Sequence, residues 1–275
     1  MSMKSLLGAI AGAAIALCSV AAGAQQAQQA LSSESVIETI KQNGVLKVGM
    51  STFVPWAMRD KEGELIGFEI DVATELANDM GVEIEFVPTA WDGIIPALLA
   101  GKFDVIIGGM TITPERNLTV NFTSPYAHSS LGVMANKELA EGLDWPDGYN
   151  SSDVTFVCRR GATPCTYIEE EFPKATLRQF DDQAQTVQEV MNGNAHVLMG
   201  SQPLPAFTIY DNQDVLFSPT DEGIDPGNEA FALRKGDPDA LNYFSNWILI
   251  KDDWLQERHD YWFGGRPWAD QVAEN

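Results

Sequence analysis

Gly67-Phe68-Glu69-Ile70-Asp71-Val72-Ala73-Thr74-Glu75-Leu76-Ala77-Asn78-Asp79-Met80 is the stretch on which the fold turns. Apolar and acidic residues alternate from Phe68 to Asp71, the period of a strand or turn. The pattern then shifts to helical spacing at Val72, Leu76 and Met80. A strand or turn feeding a helix over 72–80 is the expected structure. Around it the same alternation of β and α signals continues. Strands are expected over 45–50, 82–87 and 103–108, with a helix over 94–100. A second series has strands over 154–158, 176–180 and 195–200, and helices over 163–172 and 182–191. Such alternation predicts an α/β fold with parallel pairing. Residues 240–262 read as helical and rich in aromatic side chains, more suited to packing than to a binding box.

Phe103-Asp104-Val105-Ile106-Ile107-Gly108-Gly109 reads as a buried strand of a parallel sheet ending in two glycines. Glycine lets a ligand come close to the backbone, and open α/β sheets bind ligands beyond the carboxyl ends of their strands. Thr113-Pro114-Glu115-Arg116 starts a short helix, with Thr113 as N-cap and Pro114 at its first position. That brings Arg116, whose planar fork suits a carboxylate, close to the strand end. On the residues alone, an exposed helix position explains Arg116 equally well.

The N-terminus reads as an export signal over residues 1–24. Lys4 gives a positive start, residues 6–20 are apolar, and Ala22-Gly23-Ala24 offers a cleavage site. Lipidation at Cys18 is not expected, because Leu17 and not a small residue precedes it. Residues 25–35 read as a flexible leader. The formal net charge is −22, and loss of Lys4 makes it one unit more negative. So acidic a chain argues against nucleic acid and anionic membrane as partners. No cofactor is expected. No metal constellation is visible either, since His128, His196 and His259 are scattered without ligand spacing. Cys158 and Cys165 remain after cleavage. An even count in an exported chain suggests a disulfide, with two free thiols as the alternative.

The stretch 67–80, followed by Gly108-Gly109-Met110-Thr111-Ile112-Thr113-Pro114-Glu115-Arg116 and preceded by an export signal, resembles the family 3 periplasmic solute-binding proteins of amino-acid-type ABC importers. The resemblance implies a two-lobed periplasmic-binding-protein fold. Each lobe would be a mostly parallel sheet flanked by helices, joined by a hinge of two crossings near 126–134 and 218–231. Lobe 1 would span 36–128, lobe 2 would span 129–222, and 223–275 would return to lobe 1 with the C-terminal helices. It also implies a monomeric periplasmic receptor that captures a small carboxylated solute, an amino acid or a derivative, by hinge closure. An ABC permease in the inner membrane would be its partner.

The same resemblance assigns site residues. Phe53 takes the place of an aromatic lying over the ligand, and Trp56 the second aromatic place, which more often serves packing. Trp91 falls where another ligand-covering residue is expected. Phe53 and Trp91 could then sandwich the ligand and attract any cationic part of it, although both also read as core aromatics. Gly109 and Thr111 match positions that meet a ligand's ammonium and carboxylate, and Arg116 matches the carboxylate grip. Gly161 and Thr163 supply the second lobe's contribution at a helix start, with Arg159 as a second positive charge in the cleft. A Cys158–Cys165 bridge would tie this loop together. Ser201 stands where amino-acid members carry an Asp for the α-ammonium, and a serine offers no formal charge. Glu229 is the candidate substitute. An exported cyclohexadienyl dehydratase-like enzyme on the same fold is the alternative. It would need a positioned general acid, and none stands out in the sequence.

Overall fold

The computed structural model describes residues 35–220 and 223–272. The expected signal peptide over 1–24, Cys18 within it, and the leader through residue 34 lie outside the described residues, as do residues 221–222. Ser35, expected to be the last leader residue, is instead buried. Its hydroxyl caps the first helix by accepting from the Ile37 N–H, and donates to Asp237.

That helix is α1 (Val36–Asn43), followed by β1 (Val45–Met50). A short hairpin of β2 (Met58–Arg59) and β3 (Leu65–Ile66) leads into α2 (Phe68–Met80), then β4 (Glu83–Pro88). Next come α3 (Ile94–Leu99), β5 (Val105–Ile106), α4 (Pro114–Asn117) and the long β6 (Asn121–Asn136). The second half holds α5 (Lys137–Ala140), β7 (Thr155–Arg159), α6 (Thr163–Glu171), β8 (Thr176–Phe180), α7 (Gln183–Met191) and β9 (Val197–Ser201). The chain closes with α8 (Leu204–Asp211), β10 (Leu216–Phe217), β11 (Ile224–Leu233), α9 (Pro238–Ile250) and α10 (Asp252–Phe263).

The helix expected over 72–80 begins at Phe68. Gly67 makes this possible: its φ is 134°, and a Cβ there would lie 2.4 Å from the Trp56 carbonyl oxygen. The same carbonyl accepts from the Glu69 N–H at 2.8 Å. The apparent strand alternation from Phe68 to Asp71 is therefore not an in–out pattern, because Phe68, Glu69 and Ile70 are all buried. The strand expected over 103–108 shortens to β5, as only Val105 and Ile106 pair with neighbours. The C-terminal helical region divides into two helices at Lys251.

Strand order in the main sheet is β4-β1-β5-β11-β6-β9-β7-β8, with β10 beside β6. The outer groups are parallel: β1 with β4 and β5, and β7 with β8 and β9. Between them run β11 and β6, antiparallel to each other. Both crossings are therefore carried by paired strands. Leu131 marks the changeover in β6, since it faces Ile224 of β11 on one side and Ser201 of β9 on the other. The result is a two-lobed α/β periplasmic-binding-protein fold.

Each side of the crossing has its own core. Phe68, Val72 and Leu76 of α2 pack with Phe231, Phe244 and Trp262 in one. Val133, Phe156, Ile168, Phe172 and Met199 form the other. Full burial of each such side chain contributes about 1.5–3 kcal/mol. Asp71, Glu75 and Asp79 recur every four residues on α2 and look like a solvated acidic stripe. They instead receive the C-terminal helices: Trp262 Nε1 donates to Asp71 (2.7 Å), Lys251 Nζ to Glu75 (2.6 Å) and Trp247 Nε1 to Asp79 (2.8 Å).

Candidate functional site

The site is built on loops at the carboxyl ends of β1, β4, β5 and β7, with Trp91 in the turn after β4. The loop after β1 carries Phe53 and Trp56, both buried, with rings stacked at 5.6 Å between centroids. Trp56 is packed behind Phe53, edge-on to Phe68 and Phe263, and its indole N–H reaches across to the Gln202 carbonyl at 3.4 Å. Gly109 lies against this aromatic pair with φ +63°, and a Cβ there would sit 2.9 Å from the Phe53 ring. Its N–H donates to the Tyr126 hydroxyl at 3.1 Å.

Thr113 caps α4 by accepting from the Arg116 N–H at 3.2 Å. The Arg116 guanidinium turns back from this helix and donates to the Thr111 carbonyl at 2.8 Å. Its other end reaches the Gly161 carbonyl, on the opposite side of the cleft, at 3.1 Å. The walls touch here as well, since a Cβ on Gly161 would lie 3.2 Å from Asp92 Cα. Arg159, the last residue of β7, projects its guanidinium between Phe53 and Trp91. It lies 4.6 Å from each ring centroid. It is 5 % exposed, its Nη1 comes only within 3.5 Å of Ser51 Oγ, and its Nε has no hydrogen-bond partner. Neither Arg116 nor Arg159 forms an ion pair among the described residues. Burial lowers the Arg116 guanidinium to about 10. Arg159 falls to about 9, first through burial and then through the neighbouring Arg116. Both remain charged at neutral pH. Arg160, in contrast, faces outward and pairs with Asp181 at 2.8 Å.

Glu229 on β11 is buried and bridges to Thr111 of the facing loop. The Ser129 hydroxyl donates to its Oε1 at 2.6 Å, while its Oε2 has no partner. Burial pushes this carboxyl up to about 7, against the hydrogen bonds from Ser129 and Thr111 that favour the charged form. Thr163 opens α6, and Ser201 ends β9 opposite Leu131. Among the described residues neither side chain hydrogen-bonds to another member of the set. Cys158 and Cys165 form a disulfide across the loop between β7 and α6, with Cα atoms 5.6 Å apart. No group of three or more His, Cys, Asp or Glu among the described residues could hold a metal ion.

One buried group escaped the sequence reading. Glu69 on α2 accepts a short hydrogen bond from the Tyr126 hydroxyl, which itself accepts the Gly109 N–H. Burial is the main cause that raises Glu69 to about 8, and Glu229 adds to the rise; the Tyr126 bond opposes it. A helix drawn from Phe68 would have put Glu69 on the inner face with Phe68, Val72 and Ala73. The supposed alternation concealed this.

The model of the bacterial extracellular solute-binding proteins, family 3, matches residues 46–265. The L-cystine-binding protein TcyJ of Escherichia coli is 27 % identical over 267 residues, covering 96 % of each chain. A putative binding component of an ABC transporter from Wolinella succinogenes, solved in complex with lysine, superposes with a TM-score of 0.77 at 35 % identity. That match covers 82 % of this chain and 99 % of the other. The ancestral amino acid-binding protein AncCDT-1, described as a precursor of cyclohexadienyl dehydratase, gives a TM-score of 0.75 at 37 % identity, covering 83 % and 99 %. With the matched model spanning both halves of the sheet and the crossing strands between them, the chain belongs to the bacterial extracellular solute-binding proteins, family 3.

Proposed function

We propose that this protein is the periplasmic receptor of an ABC importer, capturing a small carboxylated solute of the amino-acid class. Lobe 1 would comprise 36–128, lobe 2 would comprise 129–222, and 223–275 would return to lobe 1. The antiparallel pair β6 and β11 would bend to close one lobe on the other. The observation that carries the reading is the Arg116 guanidinium. It is anchored to its own loop through Thr111, spans the cleft to Gly161, and forms no ion pair with a carboxylate among the described residues. A ligand carboxylate would complete it. Phe53, Trp91, Gly109 and Thr111 would line the first wall. Arg159, Gly161, Thr163 and Ser201 would line the second, with Trp56 as support. Glu229 would supply the acid that Ser201 lacks. The protein would work as a monomer, exported by its N-terminal signal, and deliver its solute to an inner-membrane permease. The acidic chain fits no nucleic-acid role.

Titration calorimetry with a panel of amino acids and organic acids tests this. Arg116→Ala should leave the fold intact and weaken the identified ligand by at least about 30-fold, the low end of the cost of stranding a buried charged partner. Affinity within about threefold of wild type would refute the assignment.

A dehydratase-like reading gains one specific support: Glu229, held near 7 in the cleft, is suited to proton transfer near neutral pH. Under the receptor reading the bound carboxylate is recovered unchanged. Turnover abolished by Glu229→Gln would replace that reading with the enzymatic one.

A further inference from the structure

The slot between Phe53 and Trp91 already contains a cation, and it belongs to the protein. A flat guanidinium between two aromatic rings is fully covered on its faces, so its N–H groups can act only in its own plane. In Arg159 that edge is poorly used: Nε has no partner, and Nη1 lies at 3.5 Å from Ser51 Oγ. No carboxylate of the described chain pairs with it. Another cation, Arg116, shares the same Trp91 ring at 5.8 Å and repels it, and the one acid that acts on Arg159, Asp182, does so through space without an ion pair. A buried cation requires a counter-charge, and here two of them face one cleft.

We propose that Arg159 is a resident occupant of this aromatic slot, excluding ligands with cationic side chains and selecting a solute with a second anionic group that binds in the plane of its guanidinium. This inference rests on the receptor reading and narrows it to a ligand class: dicarboxylates, including acidic α-amino acids. The first carboxylate pairs with Arg116 and the second with Arg159. An α-ammonium, where present, pairs with Glu229. The W. succinogenes relative was solved with lysine. For this chain, a lysine or arginine side chain directed at the slot would have to displace Arg159 and would stand beside two like charges.

The test is calorimetry on the full mature chain with L-glutamate, L-aspartate, succinate, L-lysine and L-arginine. Wild type should bind the best of the three acids at least about 100-fold tighter than either cationic amino acid. That is about 2.8 kcal/mol at 1.4 kcal/mol per decade. Arg159→Ala should reverse the order: the acid weakens by a similar factor, and lysine or arginine gains measurable affinity for the vacated slot. Millimolar guanidinium chloride, a free replacement for the lost side chain, should restore acid binding to Arg159→Ala and compete with arginine. Arg159→Lys, which keeps the charge without the planar fork, should keep the preference for acids and provides the reading should the alanine variant not fold. Wild type that binds lysine or arginine as tightly as the best acid overturns the inference and leaves the receptor reading intact. Wild type that binds no amino acid or carboxylate overturns both.

Discussion

Replacing Glu69 with Gln should stabilise the protein, and by an amount that grows with pH. Glu69 is fully buried, and its carboxyl is raised from 4.5 to about 8, mainly by burial. The folded protein therefore keeps a proton that the unfolded chain has released at any pH between those limits. Where the folded state binds more protons, stability falls as pH rises. Below about 4.5 both states are protonated and no penalty remains. At pH 7 the upper limit is about 3 kcal/mol, from 1.36 kcal/mol per pH unit above 4.5. Gln keeps an oxygen to accept from Tyr126, but its amide N–H₂ takes the place of Oε2, which has no partner. An unsatisfied buried donor costs about 1–3 kcal/mol. The net gain at pH 7 should thus be about 0–2 kcal/mol, or up to about 8 °C in Tm for a chain of this size. At pH 5 it should vanish or reverse. The assay is thermal unfolding of wild type and Glu69→Gln at pH 5, 6, 7 and 8, read as the difference between the two curves. That difference cancels the general effect of the −22 net charge. A difference constant across the series would mean that Glu69 is ionised in the folded protein, and the burial argument would fail.

Further outcomes follow from the cleft. Non-reduced mass spectrometry of exported protein should find no alkylatable thiol at Cys158 and Cys165, and replacing both by Ser should cost about 2–3 kcal/mol, the entropy of so small a loop. Glu229→Gln should weaken α-amino acids selectively over ligands that lack an α-ammonium, measured by competition. Ser201→Asp should shift preference toward α-amino acids in that background more than in wild type, since two acids sharing one ammonium repel. Equal losses for both ligand types in Glu229→Gln would remove Glu229 from the ammonium site.

The α/β class was legible because strands such as β1, β4, β7 and β8 are paired along nearly their whole length, so their period survives in the sequence. The cap at Thr113 and the proline after it announced α4 and, with it, the place of Arg116. The crossings were placed only by the family resemblance. That β6 and β11 pair there depends on contacts a hundred residues apart, as between His128 and Asn228, which no local pattern records. The start of α2 was misread for a related reason. Glu69 looks like the polar half of an alternation, and only its partner Tyr126 in another element makes burial tolerable there.

Arg159 shows where a correct local reading still stops short. The family resemblance put Arg159, at the end of β7, forward as a positive charge in the cleft, and offered Phe53 and Trp91 as a slot for any cationic part of the ligand. Nothing in either segment says that the one fills the other, because β7 and the loop after β1 meet only when the two sides of the sheet face each other. The consequence is a change of sign in the expected ligand. An aromatic slot read alone invites a cation. On the reading proposed above, the same slot with Arg159 inside it, and Arg116 at its edge, would select anions. On the same reading, Glu229, bonded to Ser129 and beside Thr111, would supply the one acid for a positive group on the ligand.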